Sequence, residues 1–187
     1  MKNLILIILV LSLFSCDKVK TEKTIKSDKK STIKASYSTK FCSKNKKLWA
    51  KSFLGKPAPE FTVEGWINNK KPDMKGKFIL IDFWGLYCPQ CKKAIPELNK
   101  IHEKYKNKLV VVGIATGSED KIKKGHYPKI EYYSAYDRKS RLKAKYQVRG
   151  IPHVVIIAPD NTVVWEGYPF LGSDRLTIDK VGKIINQ

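Results

Sequence analysis

In FILIDFWGLYCPQC, residues 78–91, an apolar strand pattern runs into a pair of cysteines that open a helix pattern. Phe78 to Trp84 is a near-continuous run of β-branched and aromatic residues, the composition of a strand covered on both faces. From Pro89 to about Tyr105, the residues Ile95, Leu98, Ile101 and Tyr105 fall on one side of a helix. Asp82 interrupts the apolar run. An ionised carboxylate loses its hydration when buried, so a residue of this kind in a central strand points to a use.

Two residues between Cys88 and Cys91, at the first helical turn, let the sulfurs meet in a small ring. Cys88 falls at the helix N-terminus, where unpaired N–H groups and the dipole favour a thiolate. Pro89 suits the first helical position, where its missing N–H costs nothing. Cys91, one turn further in, is expected to be more buried and less acidic. That asymmetry assigns the attack to Cys88 and the resolving step to Cys91.

The remaining pattern is mixed. Phe61 to Trp66 reads as a short extended run, and KLVVVGIAT as a second buried strand. DRKSRLKAKYQV reads as a helix with Asp137 as its cap. HVVIIA, the turn PDN and TVVWEG form a hairpin, and SDRLTIDKVGKII closes the chain as an amphipathic helix. The order β-α-β-α-β-β-α, after a short β extension, predicts an α/β fold. It has a mixed central sheet and helices on both faces.

The first residues belong to another class. MKNLILIILVLSLFSC has one lysine, a short apolar stretch and a small residue before Cys16. The apolar stretch is too short to span a bilayer, which needs about 20 residues, and it fits a signal peptide. LFSC resembles a bacterial lipobox, with bulky Phe14 a departure, which makes Cys16 the expected lipidated residue. Twelve lysines against three acidic residues fill the stretch from Asp17 to Lys51. Its low apolar content reads as a flexible tether. The expected organisation is a signal peptide over 1–15, a lipidated Lys-rich tether over 16–47 and one domain over 48–187. The formal charge is +20, shared between tether and domain. An exported chain without an aromatic-plus-basic recognition motif argues against nucleic acid as a partner. Disulfides persist outside the cytoplasm.

ILIDFWGLYCPQCKKAIP resembles thioredoxin. From Gly55 onward, GKPAPEFTV, the FW before the pair, Pro96, VRGIPHVVII and PDNTVVWEG resemble the membrane-anchored TlpA/ResA-type thiol–disulfide oxidoreductases. The resemblance implies a thioredoxin-like fold and an exported, lipid-anchored reductase on the extracytoplasmic, periplasmic side of a bacterial membrane. It would exchange disulfides with protein substrates, cytochrome apoproteins or misoxidised envelope proteins among them, and be fed by a membrane electron-carrier protein. No cofactor is implied beyond the redox-active disulfide Cys88–Cys91. The Ile151–Pro152 bond is expected cis, presenting backbone of Gly150 and Ile151 to a substrate segment by strand-like pairing. Trp84, Pro89 and Gln90 complete the expected substrate-binding set. Thioredoxin holds a buried Asp where Asp82 stands. Desolvation raises the pKa of such a group and suits it to accept the Cys91 proton. ResA-like proteins often carry Asn there and a Glu three residues after the second cysteine, where this chain has Ala94.

Two other functions share the frame. A copper-delivery protein would enlist His153 beside the sulfurs, although such relatives use Cys-x-x-x-Cys. A thiol peroxidase wants Thr three residues before the attacking cysteine, where Gly85 stands. Cys42 is the odd thiol, either free, docked on the domain or paired with another chain. No catalytic role is expected for it, and no metal site is expected.

Overall fold

The computed structural model describes residues 37–67, 70–170 and 174–187. The expected signal peptide, Cys16 and the tether as far as residue 36 lie outside the described residues. Strands β1 (Gly65–Trp66), β2 (Phe78–Trp84), β3 (Leu109–Ala115), β4 (Tyr133–Tyr136), β5 (His153–Ile157) and β6 (Val163–Gly167) form one sheet, in the order β1-β4-β3-β2-β5-β6. Strands β2, β3 and β4 run parallel, whereas β1, β5 and β6 are antiparallel to their neighbours. The helices are α1 (Pro89–Tyr105), α2 (Glu119–Lys123), α3 (Arg141–Lys145) and α4 (Ile178–Ile185).

Side chains alternate across each strand, and both faces of the sheet are apolar. Leu80, Leu109, Val111, Val154 and Ile156 pack under Ile95, Leu98 and Ile101 of α1 and Val181 and Ile184 of α4. On the other face, Ile81, Phe83, Val112 and Val155 meet Leu142 of α3 and Tyr146. Each fully buried side chain of this size contributes about 1.5–3 kcal/mol. The expected mixed sheet with helices on both faces is the one observed.

Several elements differ from the pattern in the sequence. Only Gly65–Trp66 of the extended run 61–66 joins the sheet. α3 is shorter than expected, and Asp137 caps it from a distance by accepting the Leu142 N–H at 2.9 Å. α4 starts at Ile178, because Thr177 caps it by accepting the Lys180 N–H. α2 and β4 were not expected at all.

The largest difference is at the domain boundary. Residues 37–47, expected in the tether, pack on the domain. Cys42 is buried and its thiol donates to the Glu166 carbonyl at 3.5 Å. The Tyr37 ring lies 5.2 Å from that of Phe78, and Lys46 pairs with Asp174. The Lys46 amine stands 4.3 Å above the Trp165 ring. A lysine stem covers apolar surface while its charged end finds a partner, so a Lys-rich segment is not thereby a tether. The second carboxylate behind this strap is Glu166, which accepts from the Ser52 hydroxyl and the Phe53 N–H.

Candidate active site

β2 delivers the chain to the upper edge of the sheet, and Gly85–Tyr87 turns it into α1. Cys88 is the N-cap of that helix, with extended backbone, and the Cys91 N–H donates to its sulfur at 3.1 Å. Pro89 occupies the first helical position and no acidic residue lies in the first turn. The unpaired N–H groups and the positive end of the dipole therefore act on Cys88 unopposed, which favours its thiolate. Cys88 and Cys91 are joined by a disulfide, with Cα atoms 5.2 Å apart. Cys88 is half-buried, whereas Cys91 is 0% exposed. One sulfur can meet a macromolecular disulfide and the other cannot.

The loop before β5 closes the site. The Ile151–Pro152 bond is cis, and the Ile151 carbonyl oxygen lies 3.8 Å from the Cys88 sulfur. Ile151 is half-buried and Pro152 buried. Gly150 stands beside them, but its N–H already donates to the Trp49 carbonyl at 3.3 Å, as does that of Arg149 at 2.6 Å. The Gly150 N–H is thus already engaged within the chain, while no such bond holds its carbonyl among the described residues. Pro89 and Gln90 are exposed beside Cys88. Tyr87, 95% exposed, and Trp49, 52% exposed, are apolar surfaces that the sequence pattern did not mark.

Trp84 lies inside the fold rather than in an open substrate-binding set. It is 1% exposed and packs with Cys91, Ala115 and Ile122, its ring 4.9 Å from that of Tyr127. Its place on the α1 side of β2 packs it against Cys91 inside the fold rather than on the surface open to a substrate. His153 is buried with its ring 6.2 Å from Phe83. Burial, with a smaller effect from Lys46, lowers its pKa to about 4. Among the described residues no three His, Cys, Asp or Glu side chains gather as a metal site.

Asp82 is 0% exposed, two residues before Trp84 and on the same side of β2. At strict hydrogen-bond geometry neither carboxylate oxygen has a partner among the described residues. Burial raises its pKa to about 7, and the Tyr132 hydroxyl acts in the opposite direction. A carboxyl that titrates near neutrality, two residues along β2 from the Trp84 that packs with Cys91, is able both to take and to release a proton.

The comparisons with known proteins agree with this geometry. The AhpC/TSA family model matches residues 54–166. The chain is 32% identical over 117 residues to the thiol-disulfide oxidoreductase ResA of Bacillus cereus, covering 59% of this chain and 67% of that protein. Among solved structures it is similar to the thioredoxin domain of a thiol-disulfide oxidoreductase from Bacteroides vulgatus. The TM-score is 0.59 and the identity 24%, over 73% of this chain and all of that one. A thiol:disulfide interchange protein from a Bacteroides species matches with a TM-score of 0.56 and 26% identity, over 72% of this chain and 91% of that one. A mixed sheet of this order, a disulfide at the head of α1 and relatives of this kind make the chain a member of the AhpC/TSA family with a thioredoxin-like fold, and a thiol–disulfide oxidoreductase.

Proposed function

We propose that this oxidoreductase works outside the cytoplasm as a reductase of protein disulfides, held on a bacterial membrane by lipid on Cys16. The observation that carries the reading is the inequality of the two sulfurs. Cys88 is within reach at a helix N-terminus, and Cys91 is sealed one turn behind it.

In the reduced enzyme the Cys88 thiolate attacks one sulfur of a substrate disulfide. The substrate S–S bond breaks, its other sulfur leaves as a thiolate, and a mixed disulfide forms on Cys88. The substrate segment lies along Ile151 by strand-like pairing. Asp82 then takes the proton of Cys91, whose thiolate attacks the Cys88 sulfur; the Cys88–substrate S–S bond breaks and the second substrate sulfur leaves as a thiolate. The enzyme is left with the Cys88–Cys91 disulfide, and a membrane electron carrier returns two electrons. Cytochrome apoproteins and misoxidised envelope proteins are the substrate class suggested by the family.

The peroxidase alternative gains no support at Gly85. A Cβ there would lie 3.1 Å from Ile151 Cδ1, so a threonine would crowd the loop that borders Cys88. Copper delivery gains none from His153, which packs on Phe83. Cys91→Ser in cells tests the proposal. Exported proteins are expected as mixed disulfides on Cys88, lost when Cys88 is also replaced. A variant that accumulates none would refute substrate exchange at this site.

A further inference from the structure

On the α1 side of the sheet, Asp82, Gly113 and Ser134 lie abreast on β2, β3 and β4. Gly113 has no side chain, and its neighbours fill the gap. A Cβ at Gly113 would lie 2.9 Å from Tyr132 Cε2 and 3.1 Å from Trp84 Nε1. Tyr132 therefore leans across β3 toward Asp82. Around this one glycine, five buried polar atoms lack a hydrogen-bond partner among the described residues. They are both carboxylate oxygens of Asp82, the Tyr132 hydroxyl, the Trp84 indole N–H and the Ser134 hydroxyl. Most buried polar atoms in a native interior are paired. With no other partner in reach, the Tyr132 hydroxyl and the Asp82 carboxylate are left to one another, next to Trp84, which packs with Cys91.

We infer that Tyr132 is the positioning residue for Asp82, its hydroxyl reaching over Gly113 to hold the carboxylate in place while the proton of Cys91 comes and goes. A phenol both donates and accepts. It donates to the carboxylate when Asp82 is ionised and accepts from the carboxyl when Asp82 is protonated. The surroundings offer few other groups for this task. β5 contributes only Val154, the partner of Asp82 across the ladder, and Cys91 of α1 packs with Trp84, two residues along β2. Tyr127 acts on Tyr132 rather than on Asp82 and donates to the Ile122 carbonyl. Donation to the ionised form favours it, so the hydroxyl restrains the upward push of burial. This inference rests on the reading of Asp82 as proton acceptor.

The test is the titration midpoint of Asp82, followed by carboxyl-carbon NMR in the oxidised protein and, separately, by the pH profile of insulin disulfide reduction. Tyr132→Phe should raise the midpoint by about one pH unit. A fluorotyrosine at position 132, a stronger donor of nearly the same size, should lower it, and Tyr127→Phe should leave it in place. A midpoint unmoved by Tyr132→Phe, or by fluorotyrosine should the Phe variant not fold, overturns the inference. The two ideas separate in the kinetics. If Asp82→Asn leaves the rate profile unchanged while Tyr132→Phe moves the NMR midpoint, the proton-acceptor reading fails and the positioning contact stands.

Discussion

Replacing Asp82 by Asn should stabilise the oxidised protein at neutral pH and do little in acid. A carboxyl with a folded-state pKa of about 7 and an ordinary value of 3.8 binds its proton more tightly in the folded chain. Its full contribution to stability is present below about pH 4. As pH rises the unfolded chain ionises and the buried carboxyl resists. The contribution is therefore lost progressively until about pH 7, above which the difference is constant. At about 1.36 kcal/mol per unit, the loss is about 4 kcal/mol between pH 4 and pH 7. Asn carries no charge and is spared it. Urea unfolding of both proteins at pH 4 and pH 8 should thus show a gap that widens by about 4 kcal/mol in favour of the variant, while disulfide reduction slows. A gap that stays constant between the two pH values would refute the claim that the folded chain buries Asp82 at an energetic cost.

The strap predicts a truncation effect. A chain beginning at residue 48 should be less stable than one beginning at residue 37 by about 2–4 kcal/mol of burial and hydrogen bonding. Its tryptophan emission should also shift red as Lys46 no longer covers Trp165. Equal urea midpoints for the two truncations would contradict the docking of Cys42. Glu166→Ala should cost about 2–3 kcal/mol, because the Ser52 hydroxyl and the Phe53 N–H lose their acceptor. Faster protease cutting between Trp49 and Lys56 should accompany it, and an unchanged digestion pattern would count against the clamp. Leu98→Ala, at a fully buried position of α1, should cost about 2–5 kcal/mol in urea unfolding, with no change in the relative reactivity of the two cysteines.

The central strand and the head of α1 were legible because every local signal agrees there. An unbroken apolar run, a proline at the first helical position and paired cysteines all describe one strand-to-helix junction. The loop beside Cys88 was legible through Gly150-Ile151-Pro152. Elements whose stabilisation comes from distant partners were not. β4 spans four residues, YSAY, too few for a period to emerge, and exists because β1 and β3 pair with it. Residues 37–47 carry four lysines, which hide a buried cysteine and two aromatic anchors. Trp84 was expected to pack under the cysteine pair and also to meet substrate, and its burial bears out the packing, because adjacency to the cysteines does not say how much of the ring stays open. Tyr132 stayed invisible for the opposite reason. It stands 50 residues from Asp82 in the chain, and only the missing side chain of Gly113 brings the two together.

Alkylation of the reduced protein measures the unequal reactivity of Cys88 and Cys91 directly. Iodoacetamide rates, resolved for each cysteine by mass spectrometry between pH 4 and pH 9, should show Cys88 reacting on the order of 100-fold faster than Cys91 at neutral pH. Equal rates at every pH would mean that position at the helix N-terminus and burial do not distinguish the two sulfurs, and the proposed division into attacking and resolving cysteine would be wrong.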